Sequence, residues 1–207
     1  MISLAGQNKD KLINSIVTLI IMMILPLLVV STVGVLLSIT FSDFESDLSS
    51  VLIIGISMIF GFVFVPIIYI KKIYKLNLKD IGISEFSKRE IIIETFVLLC
   101  LYAYLISSDM SIYSIFISSI QMLIVATTEE FWARGVICYL LNQIVENKWF
   151  IILASSLSFA FLTHMNEPFM DNLLYRLPGS VVMGVIFVYT KNLRYTILFH
   201  YIYNLVY

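Results

Sequence analysis

The chain has 207 residues, of which 60% are apolar and 13% are charged. An average soluble domain has roughly 45 to 50% apolar and 25% charged residues, so this composition excludes a freely soluble globular protein. The 13 Lys and Arg residues and 14 Asp and Glu residues give a net charge of -1. No cationic surplus remains for a phosphate backbone, which excludes nucleic acid as a partner. Cys100 and Cys138 lie in apolar runs and form neither a disulfide framework nor a zinc knuckle.

Apolar runs recur along the chain, and a helix needs about 20 apolar residues to cross the hydrocarbon core. No stretch of about ten residues alternates with the period of two that membrane barrel strands show. The sequence therefore predicts an all-α, polytopic integral membrane bundle of about seven transmembrane helices, formed as a single domain over residues 1–207. The predicted helices cover residues 12–40, 51–70, 91–107, 112–141, 149–164, 172–190 and 195–207.

The connections between these helices alternate in charge. Lys and Arg precede the first helix and follow the second, fourth and sixth, whereas the other connections carry acidic residues and no Lys or Arg. Cytoplasmic connections are enriched in Lys and Arg, so we expect a cytoplasmic N-terminus and a C-terminus outside. The cationic residues are Lys9, Lys11, Lys71, Lys72, Lys75, Lys79, Lys88, Arg89, Lys148, Lys191 and Arg194, and the acidic ones are Asp43, Glu45, Asp47, Asp109, Glu167 and Asp171. Residues 71–90 are polar enough to hold a short interfacial helix.

Two adjacent carboxylates and an arginine interrupt the fourth predicted helix in the segment TTEEFWAR, residues 127–134. A charge at mid-membrane costs at least about 2.5 kcal/mol, so such residues need an explanation. Glu130 and Arg134 are spaced i and i+4 on one helix face, where pairing reduces the desolvation cost of both. Glu129 points about 100° away from Glu130 and lacks that partner. We interpret the pair as structural and Glu129 as the candidate functional group.

The chain has two histidines, and both lie in apolar surroundings. His164 ends the fifth predicted helix, and His200 lies in the seventh with Asn204 one turn later on the same face. Together with Glu129 these groups can form a hydrolytic site, in which a carboxylate activates water and donors hold an oxyanion. The same four groups could instead ligate a divalent cation that lowers the pKa of bound water. Arg176 is interpreted as an interfacial anchor that could also hold a substrate carboxylate.

These motifs, in this order, resemble those of the CAAX-protease and bacteriocin-processing family of intramembrane proteases, also called the Abi family. The family's first motif, Glu-Glu-x-x-x-Arg, matches Glu129, Glu130 and Arg134, and its third, His-x-x-x-Asn, matches His200 and Asn204. The resemblance covers roughly residues 118–206, within a motif-bearing core at about 112–207. It implies that Glu130 and Arg134 support the first motif.

The second motif of the family is Phe-x-x-x-His, and here this sequence departs from the pattern. Four residues before His164 stands Ala160, with Phe159 and Phe161 on either side. We expect one of these neighbouring rings to fill the space of the missing phenylalanine.

The resemblance implies peptide-bond hydrolysis within or at the membrane by an endopeptidase. Glu129 and His164 would activate the water, and His200 with Asn204 would stabilise the oxyanion. Family members have also been described as zinc enzymes, in which case the same four side chains would bind Zn²⁺. We favour the metal-free version, because two histidines and one unpaired glutamate need Asn204 or a second acid to complete a ligand set. The implied substrate is a peptide or a lipid-modified peptide, with membrane lipid around the protein.

Two other classes of function remain open. The protein could be a non-catalytic bacteriocin immunity factor or membrane peptide-binding protein, or a small proton-coupled transporter component in which buried Glu and His residues relay protons. Hydrolysis requires Glu129, His164 and His200 to converge on one water, whereas a relay would string them along a path. Counted from the cytoplasmic ends, His164 and His200 differ in depth by about 15 Å, a gap that helix tilt or irregularity must close.

Overall fold

The computed structural model describes residues 4–42, 46–74 and 77–206, with side chains from Asp10 onward. These residues form seven long helices and no strand, which confirms the predicted all-α class. Asp43, Glu45, Lys75 and Tyr207, used in the sequence analysis, lie outside the described residues, as does the side chain of Lys9. The helices are α1 Leu4–Thr40, α2 Asp47–Tyr74, α3 Lys88–Ile106, α4 Ile112–Asn142, α5 Lys148–Thr163, α6 Phe169–Thr190 and α7 Leu193–Val206.

Four of these helices, α1, α2, α4 and α6, are long and apolar enough to cross a membrane. The 14 residues of α7 extend about 21 Å, less than the hydrocarbon thickness of about 30 Å. Between α2 and α3 a short 3₁₀ helix, Leu78–Ile81, begins at an Asn77 cap and ends at Gly82, whose φ of 85° suits glycine. The polar connection thus contains the short helix that the sequence allows there.

The outer surface of the bundle is apolar. Large side chains such as Ile68, Ile92 and Phe96 expose about two thirds of their area. Such a continuous apolar surface is stable against lipid, where helices satisfy their backbone polar groups internally, and unstable in water. The protein is therefore a membrane protein.

The fourth helix occupies the centre of the bundle. It packs against α2 on one side and α7 on another, while α5 packs on α6 and α1 on α2. Every residue of its π-helical stretch Phe131–Ile137 is buried. Gly61 of α2 permits the close approach to α1, since a Cβ there would lie 2.6 Å from the carbonyl oxygen of Pro26. The motif residues on α4 are therefore enclosed by helices on all sides.

A single hydrogen bond between α1 and α4 compensates for a proline. Pro26 lies inside α1 and has no N–H, so the carbonyl of Met22, four residues earlier, loses its helical partner. The indole Nε1–H of Trp132 donates to this carbonyl at 2.8 Å, and both side chains are fully buried. A backbone carbonyl inside the membrane is unfavourable without a partner, so Trp132 stabilises the contact between α1 and the centre of the bundle.

Trp132→Phe should destabilise the protein by about 1 kcal/mol, because it leaves the Met22 carbonyl unpaired. Pro26→Ala restores an N–H that can pair with the same carbonyl. We therefore expect Trp132→Phe to cost less in the Pro26→Ala background, as measured by reversible unfolding in detergent micelles. Equal costs in both backgrounds would show that the indole contributes packing and no hydrogen bond.

Candidate active site

Arg134 joins three helices in the interior of the bundle. Its Nε donates to Glu130 Oε2 at 3.2 Å within α4, and its Nη1 donates to Ser155 Oγ of α5 at 3.1 Å. Its Nη2 donates to both the carbonyl and the hydroxyl of Ser180 in α6, at 3.0 and 2.6 Å. The guanidinium is fully buried, so these partners replace its hydration. The i to i+4 spacing predicts the pairing with Glu130, whereas the roles of the two serines had no recognisable signal in the sequence.

Glu130 connects this arginine to the seventh helix. Its Oε2 accepts from Arg134, and its Oε1 lies 3.1 Å from Nδ1 of His200. An imidazole that donates from Nδ1 to a carboxylate is fixed in its ring orientation, and its Nε2 is directed elsewhere. Here Nε2 lies 3.7 Å from Oε2 of Glu129. The buried chain from Arg134 through Glu130 thus aims His200 at the second carboxylate.

Phe159 is the neighbouring ring that contacts His164. The end of α5, Phe159–Thr163, is π-helical, and a π turn contains about one more residue than an α turn. Residues i and i+5 therefore share a face, and the rings of Phe159 and His164 meet edge to face with centroids 5.6 Å apart. We propose that the spacing Phe-x-x-x-x-His in a π turn substitutes for Phe-x-x-x-His in an α turn.

The same phenylalanine contacts both histidines, which the sequence analysis placed at different depths. The ring of Phe159 also contacts the ring of His200 edge to face, with centroids 5.6 Å apart. His164 itself lies just after the end of α5 rather than inside it. Its carbonyl accepts a hydrogen bond from Nδ2 of Asn172 at 2.8 Å, which links the end of α5 to α6. Neither the Phe159 bridge nor this use of Asn172 was predicted from the sequence.

A cavity of about 810 Å³ joins the predicted site residues. Glu129, His164, His200 and Asn204 all line it, so the four side chains predicted from the motifs face one space. Arg176 lines it too and pairs through Nη2 with Glu167 at 3.4 Å. Glu129 and His200 are about 95% buried, whereas His164 and Asn204 are partly exposed.

Glu129 also borders a second cavity of about 490 Å³ on its other side. This cavity is lined by α1, α2 and the end of α5. Its lining is apolar or small and uncharged apart from the glutamate; examples are Val30, Gly34, Ser57 and Phe62. The carboxylate therefore borders two cavities, one lined by further ionisable side chains and one whose lining has no other charged side chain.

No preformed set of three zinc ligands is present among the described residues. A zinc site needs three protein ligands at about 2.0 to 2.3 Å from one point. Within the described part of the chain, no three His, Cys, Asp or Glu side chains are gathered in this way.

One protein family model matches the second half of the chain. Residues 111–206 match the family model described as "Type II CAAX prenyl endopeptidase Rce1-like". No curated protein and no solved structure matches the chain.

The match confirms the resemblance that the three motifs predict. The motif-bearing segment is similar to the Rce1-like CAAX endopeptidases, and the fold that carries it is a bundle of apolar helices. In general terms, this similarity supports an intramembrane endopeptidase.

Arg134→Met should destabilise the protein strongly, by about 3 to 5 kcal/mol, because it leaves the Glu130 carboxylate buried without its cation. The double variant Glu130→Gln with Arg134→Met removes both charges and should recover much of this loss. Unfolding in detergent micelles measures both. If the double variant is as unstable as the single one, the uncompensated charge is not the cause.

Proposed function

We propose that the protein is a membrane endopeptidase that hydrolyses peptide bonds with a water molecule activated by Glu129. One observation carries this proposal: the buried Glu129 carboxylate borders the larger cavity beside Nε2 of His200, while the adjacent Glu130 is fully engaged with Arg134. The environment of the two neighbouring carboxylates therefore differs. A carboxylate without a fixed cation can accept a proton, and one held by an arginine keeps its charge.

We propose the following steps for the hydrolysis. Glu129, assisted by His164, takes a proton from water, and the water oxygen bonds to the carbonyl carbon of the scissile peptide. The resulting oxyanion accepts a hydrogen bond from the amide of Asn204 and one from Nε2–H of His200. Because Nδ1–H of His200 already donates to Glu130, the second bond requires the imidazolium form of the ring. The C–N bond then breaks, and the proton held by Glu129 passes to the leaving amine. One water is consumed, and one carboxyl and one amino terminus are formed.

Glu130 and Arg134 act indirectly in this scheme. They keep Nδ1 of His200 engaged, so that Nε2 stays directed towards Glu129 and the cavity. Phe159 contacts both imidazole rings edge to face and so restricts their orientation. These three are positioning residues, since none of them needs to touch the substrate.

The shared cavity favours hydrolysis over a proton relay. A relay would require the ionisable groups to be spaced along a path across the membrane, whereas Glu129, His164 and His200 face one cavity of about 810 Å³. That volume is in the range of sites that take small ligands or short peptide segments. We propose a peptide or lipid-modified peptide as substrate. A binding protein without catalysis would have the same cavity, and only the activity of variants separates that alternative.

We also propose that the N-terminus lies in the cytoplasm and the C-terminus outside. In the described part of the chain, Lys71 and Lys72 end α2, Lys148 begins α5, and Lys191 follows α6. All of these positions lie at one end of the bundle, the end that Lys and Arg mark as cytoplasmic.

Glu129→Gln should lower the rate of peptide hydrolysis by at least about a hundredfold, because an amide cannot accept the proton of the attacking water. Purified protein is incubated in detergent with a mixture of synthetic peptides, and new termini are identified by mass spectrometry. Glu146→Gln removes an exposed carboxylate far from the cavity and is the matched control. Cleavage that is absent from the wild type, or equal in wild type and Glu129→Gln, contradicts the proposal.

Treatment with 1,10-phenanthroline or EDTA should leave the Glu129-dependent hydrolysis within about twofold of its untreated rate. The reason is that the side chains around Glu129 and His200 do not form a ligand set for zinc. The same peptide assay measures this. A loss of activity that added zinc restores would establish a metal-dependent site instead.

A further inference from the structure

The larger cavity extends from Glu129 towards one end of the bundle. Along α4 it follows Val125 and Gln121, which lie between Glu129 and the start of the helix. On α7 it reaches Asn204, close to the end of that helix, and on α6 it reaches Tyr175, close to the start. The start of α4, the start of α6 and the end of α7 all lie at the same end of the bundle.

The second cavity extends towards this same end. It reaches Ser38 near the end of α1 and Ile53 near the start of α2. It also includes Met165 and Asn166 from the connection between α5 and α6. Both spaces that border Glu129 therefore lead to the end formed by the connections after α1, α3 and α5.

The opposite end is closed by packing. Ile81, from the 3₁₀ helix between α2 and α3, is fully buried, and its carbonyl lies 3.3 Å from where a Cβ on Gly135 would stand. Leu193 at the start of α7 packs at the same point, and it donates its backbone N–H to the carbonyl of Gly82 at 3.0 Å. Between this layer and Glu129 lies the buried Arg134 with its partners. A peptide cannot reach Glu129 from that side without displacing these groups.

The two ends differ in charge. The connections 41–46, 107–111 and 164–168, at the open end, contain acidic residues and no Lys or Arg. Arg176, which faces this end, is paired with Glu167. The closed end carries the cations, and one of them, Arg194, fixes α7 to α3 through Glu94 at 2.6 Å. By the distribution of Lys and Arg, the closed end is cytoplasmic.

We infer that the site takes its substrate from the extracytoplasmic side of the membrane. Its substrate is an extracytoplasmic peptide, or an extracytoplasmic segment of a membrane protein, and not a cytoplasmic tail. This inference rests on the proposed function. The new carboxyl and amino termini are released on the outer side, and the water is drawn from there, because the cytoplasmic end of the bundle is sealed.

The orientation of the cavity is tested by cysteine labelling in intact cells. Cys100 and Cys138 are first replaced by Ala, and Gln121→Cys is introduced in the wall of the cavity. Asp109→Cys marks the predicted outer side, and the exposed Glu85→Cys marks the cytoplasmic side. A membrane-impermeant maleimide should label residues 121 and 109 in intact cells and residue 85 only after permeabilisation. Labelling of 85 but not of 121 and 109 in intact cells overturns the inference.

The side of cleavage is tested with a peptide that the detergent assay identifies. Added to the medium of spheroplasts, this peptide should be cleaved by the wild type and not by Glu129→Gln. Added to inverted vesicles, it should be cleaved at least about tenfold more slowly until detergent is supplied. Faster cleavage in the inverted vesicles overturns the inference and leaves the proposed function intact. Absence of Glu129-dependent cleavage in detergent removes both, whatever the labelling shows.

Discussion

The structure depends on one buried ion pair. Arg134 and Glu130 lie inside a membrane protein, where each charge alone would be prohibitive, and they are stable because every polar atom has a partner on α4, α5, α6 or α7. The pair therefore does more than neutralise charge. It fixes three helices around a fourth and leaves one imidazole nitrogen of His200 directed at Glu129. The fold and the orientation of the site arise from the same contacts.

The two adjacent glutamates lie in different surroundings and suit different roles. Glu130 is held by a cation and an imidazole, which suits a group that must stay charged and fixed. Glu129 borders two cavities and has no fixed cation, which suits a group that must meet water and a peptide chain. An endopeptidase has to hold substrate on both sides of the scissile bond, and a carboxylate placed between two cavities meets that requirement.

Much of this could be predicted from the sequence. Hydropathy predicted the seven helices, and the i to i+4 spacing predicted the pairing of Glu130 with Arg134, because both depend on local periodicity. The contacts that cross between helices had no such signal. The hydrogen bond from Trp132 to the Met22 carbonyl joins residues 110 positions apart. The contact of Phe159 with His164 depends on a π turn, which shifts the helical period by one residue and so hides the motif from a search based on α-helical spacing.

The account can be tested directly at His200, because the chain contains only two histidines. Protein labelled with ¹⁵N-histidine gives two imidazole systems by NMR, and His164→Gln assigns them. The account predicts that Nδ1 of His200 carries a hydrogen-bonded proton, and that Glu130→Gln shifts this resonance far more than Glu146→Gln does. A His200 ring with an unprotonated Nδ1, or a resonance that is indifferent to Glu130, would contradict the central role of the buried pair.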